Sequence, residues 1–146
     1  MARRRVRVVQ EFKRPVRDVF AYLGNHKNLS VVFNIPVKRI CDGAPDANGP
    51  GSVRTLGVPP LAVQETVREV VPNRSIDYEI TKYGGPIRNH HGRLIFSETP
   101  EGSRVEWLIT FDAVAGLGHV VERILERGLA RGLRRVAKPG YVTAVN

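Results

Sequence analysis

Cysteine is almost absent. Cys41 stands alone, so no intrachain disulfide can form, and a single thiol suits a reducing compartment. With nothing nearby to activate it, Cys41 is expected to be a buried, inert thiol. No apolar run approaches the ~20 residues needed to span a bilayer. Met1 to Val9 is basic but lacks the apolar segment of a secretory signal, so the expected location is the cytoplasm. No glycine-rich loop has a recognised phosphate-binding form. Metal-ligand spacing is missing too. His90 and His91 are neighbours, which on a strand face opposite ways and cannot share an ion. His26 and His119 have no cysteine, histidine or acid at ligand spacing. No metal and no cofactor are therefore expected. Aromatic residues make up only 7% of the chain, and none is interleaved with the basic patch Arg3, Arg4, Arg5 and Arg7 to stack on bases. Nucleic acid is thus not the expected partner, although 18 Arg and five Lys give a net charge of +9.

What is present reads as one domain, 1–146, a length that can bury a core without disulfide or metal. Val6 to Phe12 alternates as a strand. Pro15 suits the first turn of a short helix carrying Val16, Val19, Phe20 and Leu23, which ends near Gly24–Asn25. A second short helix covers Lys27 to Phe33. Strands are then expected over Val37–Cys41, Ser52–Leu56, Leu61–Val71, Ile76–Lys82, Ile87–Ser97 and Arg104–Ala113. They are separated by Gly, Pro, Asn and Asp clusters that mark turns. Short connections make these strands an antiparallel meander. Gly118 to Lys138 then places Val120, Val121, Ile124, Leu125, Leu129, Leu133 and Val136 at helical spacing, and this long helix must bury its apolar face against the sheet.

Several strings in this order resemble the START-like (SRPBCC, birch-pollen-allergen-like) superfamily and its polyketide cyclase/dehydrase group. The stretch Pro15-Val16-Arg17-Asp18-Val19-Phe20-Ala21-Tyr22-Leu23-Gly24-Asn25 with Asn28 is similar to that superfamily's opening helix. There an Asp is common where Asn25 stands, and a Trp about where Phe33 stands. Asn89-His90-His91-Gly92-Arg93-Leu94 resembles a strand with an Asn–aromatic pair and a Gly, His replacing the ring. Val105-Glu106-Trp107 resembles its V-x-W strand. The resemblance implies an α+β helix-grip fold, a curved antiparallel sheet of about seven strands around a long C-terminal helix, with two short helices after the first strand. It also implies an apolar pocket between sheet and helix.

Strand alternation assigns facings. Val105, Trp107, Ile109 and Phe111 share the inner face of their strand. Leu94 and Phe96 point inward and bring Gly92, His90 and Arg88 with them. Ile76, Tyr78 and Ile80 point inward with Lys82 in phase, and Val63, Val67 and Val71 bring Glu65 and Glu69. An apolar face with a few convergent polar groups is how small-molecule sites are built. The expected ligand-binding residues are Glu65, Val67, Tyr78, Ile80, His90, Leu94, Trp107, Ile109, Ile124 and Gly128. Glu65 gains from the resemblance, because a Glu after a Pro-containing loop like Gly57–Pro60 lines the pocket of the superfamily's plant hormone receptors. Glu65 and Glu69, roughly 13 Å apart along a strand, are too far apart for paired acid–base work at ~5–9.5 Å. A Glu65–Lys82 contact is allowed by one register. If the chain is an enzyme, His90 is the candidate general base near neutral pH, with Tyr78 or Arg88 steadying an enolate oxygen in cyclisation or dehydration. A non-catalytic carrier or sensor would use the same pocket. The expected partner is a small hydrophobic ligand, polyketide-, aromatic- or lipid-like, and a homodimer is left open. The row Arg123, Arg127, Arg131 and Arg135 also leaves open an acidic docking partner.

Overall fold

The computed structural model describes residues 3–145. The elements are β1 (Arg3–Phe12), α1 (Val16–Gly24), α2 (Leu29–Phe33), β2 (Val37–Cys41), β3 (Val53–Leu56), β4 (Val63–Val71), β5 (Ser75–Lys82), β6 (Ile87–Thr99), β7 (Gly102–Ala113) and α3 (Gly118–Val136). A 3-10 turn, His26–Asn28, joins α1 to α2. The strands form one antiparallel sheet in the order β1-β7-β6-β5-β4-β3-β2. Five hairpins lay down β2 to β7 side by side, whereas β1 and β2 are the two edges. The chain must therefore cross the whole sheet between them, and α1 and α2 make that crossing. Cys41 ends the edge strand β2 and is exposed, not buried as expected.

Period-2 alternation works cleanly where the ladder is regular. On β7, Val105, Trp107, Ile109 and Phe111 all point into the core, as do Val6, Val8 and Phe12 on β1 and Leu94 and Phe96 on β6. It fails at three bulges, and at the first, where the β4–β5 register shifts between Gln64 and Glu65, Lys82 leaves the inner face of Tyr78 and Ile80 for solvent. The β4–β5 register shifts again between Val67 and Glu69, and Glu69 turns out to solvent. The β6–β7 register shifts between Arg88 and His91, where Asn89 takes φ +50°, and Arg88 is exposed. An extra residue in one strand reverses the facing of the residues beyond it. Arg88 therefore leaves the face that keeps His90.

The long helix also departs from expectation. It packs mainly on β1 and α2, and only its C-terminal half is buried. Leu129, Leu133 and Val136 are in the core, whereas Val120 and Ile124 are 55% and 66% exposed. Gly132 explains the tight end: a Cβ there would lie 1.9 Å from the Val32 carbonyl oxygen, so only glycine lets α3 meet α2. One turn earlier on the same line, a Cβ on Gly128 would meet nothing within 4 Å. Since α2 stops at Phe33, the N-terminal half of α3 runs past its partner. The arginine row is not uniformly outward either, because Arg135 turns back and its Nη1 donates to the Val31 carbonyl at 2.7 Å.

Candidate ligand site

Under α1 and α2, the concave face of the sheet carries a buried polar cluster inside an apolar shell. It begins with two residues directly opposite in the β3–β4 ladder, Arg54 and Glu65. Ser52, Arg54 and Leu56 are the inward positions of β3. The Arg54 Nε and Nη2 atoms lie 2.9 and 2.8 Å from Glu65 Oε1. Both contacts go to the same oxygen, and Oε2 has no protein partner. Burial pushes the Glu65 carboxyl pKa up, and the Arg54 charge opposes that rise. The partner is thus Arg54, not Lys82, which is exposed and sits opposite Gln64.

The Arg54 guanidinium lies 4.9 Å from the centre of the Tyr78 ring, a cation–π arrangement. Tyr78 Oη accepts a hydrogen bond from Trp107 Nε1 at 2.8 Å, and its own proton has no protein acceptor. Burial pushes the phenol pKa far up, so it stays a donor. The ring can lie there because residue 92 is glycine: a Cβ would stand 2.0 Å from Tyr78 Cζ. Tyr78 and Trp107 meet edge to face, and Phe33 closes on Trp107 in the same way.

His90 lies beside Tyr78, with ring centres 5.5 Å apart. Its Nδ1 accepts from the Ile80 backbone N–H at 3.0 Å, which assigns the proton to Nε2. Burial, together with the charges of His91, Arg54 and Arg3, pulls its pKa down to about 4. The ring is therefore a neutral hydrogen-bond donor at pH 7. Its Nδ1 lone pair, the one a general base would use, is engaged by the Ile80 N–H. Arg88 does not join it. Its guanidinium instead caps the Gly85 and Ile87 carbonyls on the outside.

Sequence reasoning missed two members of the cluster. Arg54 was legible in principle, since it alternates with Ser52 and Leu56 and stands opposite Glu65. His26 follows α1 in a turn with no periodicity to reveal it. It is buried, its Nε2 lies 3.1 Å from Ser52 Oγ, and its Nδ1 has no partner. Burial and then the charges of Arg54 and Arg39 pull its pKa down to about 4.

The apolar residues expected to line a pocket are close-packed instead. Val67, Leu94, Trp107 and Ile109 are buried in the core, and Ile80 is half-buried. The void that Val67, Leu94, Trp107 and Arg54 share with Leu23 and Leu29 is about 10 Å³, room for about one water. Ile124 and Gly128 do not line this void and lie exposed on the surface of α3. A separate groove of about 350 Å³ runs between α1, the 42–51 loop and the β4–β5 turn. Gly24, Asn48 and Ile76 border both spaces and form the partition between them. Among the described residues, no cluster of His, Cys, Asp or Glu is arranged to hold a metal, and no helix is long and apolar enough to cross a membrane.

A family described as polyketide cyclase / dehydrase and lipid transport matches residues 3–139. No curated protein matches the chain. Solved structures share its shape. A Thermobifida fusca protein superposes with a TM-score of 0.73 at 22% identity, covering 91% of this chain and 90% of that one. A Nitrosospira multiformis protein gives 0.72 at 18% identity, covering 93% and 97%. Ara h 8.0201 gives 0.67 at 13% identity, covering 93% and 98%. At these identities the likeness is one of fold, the helix-grip arrangement of a curved sheet and a long C-terminal helix.

Proposed function

The chain belongs to the polyketide cyclase / dehydrase and lipid transport family, and on that premise we propose that it binds a small hydrophobic molecule bearing both a carbonyl-type acceptor and a hydroxyl donor. The observation that carries this is the buried cluster with unused hydrogen-bonding capacity. The Tyr78 hydroxyl proton and His90 Nε2–H have no protein acceptor, and Glu65 Oε2 has no donor. Buried polar groups are ordinarily paired, so these open positions, together with His26 Nδ1, which is fully buried without a partner, are suited to a ligand's polar atoms. Space for the ligand comes from the partition: Gly24, Asn48 and Ile76 alone border both the ~10 Å³ void and the ~350 Å³ groove, and a shift of these residues would join the two.

A second reading, cyclisation or dehydration, is favoured by one feature. Glu65 offers a free carboxylate oxygen on the same inner face as the two donors Tyr78 and His90, joined to Tyr78 through Arg54. Oε2 would take a proton from the carbon beside a ketone, and the donors would hold the enolate oxygen. In the carrier reading the same groups only hold the ligand.

The test uses native mass spectrometry of protein purified from its own host, followed by titration with a hydroxylated anthraquinone. Trp107, the only tryptophan, lies in the wall of the void and reports occupancy by fluorescence. A co-purified apolar molecule, and Trp107 quenching that weakens in Tyr78→Phe and Glu65→Gln, are expected. Absence of both a bound mass and any quenching up to the solubility limit refutes binding. Chemical conversion of the recovered ligand, lost in Glu65→Gln, separates enzyme from carrier.

A further inference from the structure

The strand register gathers three connections at one end of the sheet. Leu56 pairs with Val63, Gln64 with Lys82 and Ile87 with Ala113, so the β3–β4, β5–β6 and β7–α3 loops lie together. The Val114 N–H donates to the Pro86 carbonyl at 2.9 Å and ties two of them directly. At this end Leu61 is 86% exposed and Tyr83 69% exposed, and Val58, Leu117, Val120 and Ile124 are exposed as well. Among the described residues, the opposite end holds fewer and less exposed ones, Tyr141 and Val145 at 38% each in the C-terminal segment. Single exposed apolar residues are ordinary, but a group of this size at one pole marks an interaction surface.

Cations border the group. Lys82, Arg88, Arg123 and Arg127 are exposed beside it. Among the described residues, no carboxylate lies within 4.0 Å of Lys82, Arg123 or Arg127. Of the carboxylates nearby, Asp112 is engaged with Asn89 and Glu122 with Arg4, and Glu126 stands exposed between Arg123 and Arg127, which leaves the four cations in excess.

We propose that this pole docks on an anionic lipid surface. Aliphatic side chains and one tyrosine would enter the interface, and the surrounding cations would meet the headgroups. A second copy fits poorly, because face-to-face pairing would press Lys82, Arg123 and Arg127 against their own images. Nucleic acid fits poorly too, since the aliphatic group has nothing to meet on a phosphate backbone. The surface itself uses none of the interior donors, and its test therefore stands or falls apart from the binding test above.

The whole protein is sedimented with phosphatidylcholine vesicles and with phosphatidylcholine/phosphatidylglycerol vesicles. Binding only to the anionic vesicles, weakening with salt, is expected. Each Lys or Arg at such a surface strengthens binding by roughly fivefold, so Arg123→Gln/Arg127→Gln lowers partitioning roughly 30-fold. Val58→Glu/Leu61→Glu abolishes it. All four positions are exposed, so both variants melt as the parent does. Equal binding to neutral and anionic vesicles, no binding to either, or indifference to both variants overturns the proposal. So does a dimer that Val58→Glu/Leu61→Glu dissolves in the absence of lipid.

Discussion

Replacing one member of the Arg54–Glu65 pair destabilises the protein far more than replacing both. At 2.8 Å and an effective dielectric of ~20, the attraction between the two charges is roughly 6 kcal/mol. Arg54 has a side-chain exposure of 4% and Glu65 of 7%, so neither charge is well hydrated once its partner is gone. The adjoining void admits about one water, which offsets part of the loss. Glu65→Leu or Arg54→Met alone should therefore cost about 3–5 kcal/mol, a large share of the ~5–15 kcal/mol that holds a domain folded. Arg54→Met also removes the cation over the Tyr78 ring and belongs at the upper end of that range. The double variant Arg54→Met/Glu65→Leu should return to within about 2 kcal/mol of the parent, because two apolar side chains of similar volume need no partners. The assay is urea unfolding followed by Trp107 fluorescence. With a slope of ~2 kcal/mol per molar, each single variant moves the midpoint down by roughly 2 M, and the double variant recovers most of it. Additive losses, with the double variant worse than either single, would show that the two residues are not a coupled buried unit. A stable double variant is also the cleanest background for ligand titration, because a loss of binding there cannot come from unfolding.

Stability should depend on pH through His26 and His90, both held down to about 4. Their unfolded counterparts take up protons near 6.5, while the folded protein resists until about 4. Stability is thus complete above about pH 6.5 and falls as pH drops from there toward 4, by roughly 3 kcal/mol per histidine. Urea midpoints that stay level between pH 7 and pH 5 would contradict this, and His90→Gln should remove about half of the decline. The two helix glycines should answer oppositely to alanine. Gly128→Ala meets open space and should raise stability by up to ~1 kcal/mol. Gly132→Ala drives a methyl into the Val32 carbonyl, and thermal melting should show a loss of more than ~2 kcal/mol as α2 and α3 separate.

Much of the candidate site was legible from alternation alone. Glu65, Tyr78 and His90 face inward as strand phase requires, and Val67, Leu94, Trp107 and Ile109 share that face with them. Phase fails where the ladder slips, at Glu69, Lys82 and Arg88. A bulge depends on how two strands match, and a single strand's pattern does not record it. The role of His90 was also hidden. Its residue type suggests a base, but the Ile80 N–H that occupies its lone pair comes from the neighbouring strand.

The architecture itself was written locally. Gly, Pro, Asn and Asp clusters mark each hairpin, and period-2 and period-3.6 runs mark the elements, so order, approximate bounds and the antiparallel meander come from neighbouring residues in the chain. Tertiary structure alone decided which partners meet. Arg54 found Glu65 because β3 and β4 pair in one register. Gly132, not Gly128, became the close contact because α2 ends after five residues. The apolar stripe of α3 promised burial along its whole length, yet burial needs an opposing surface, and α2 supplies one only to the C-terminal half. That shortfall leaves Val120 and Ile124 uncovered at the pole where the three loops gather.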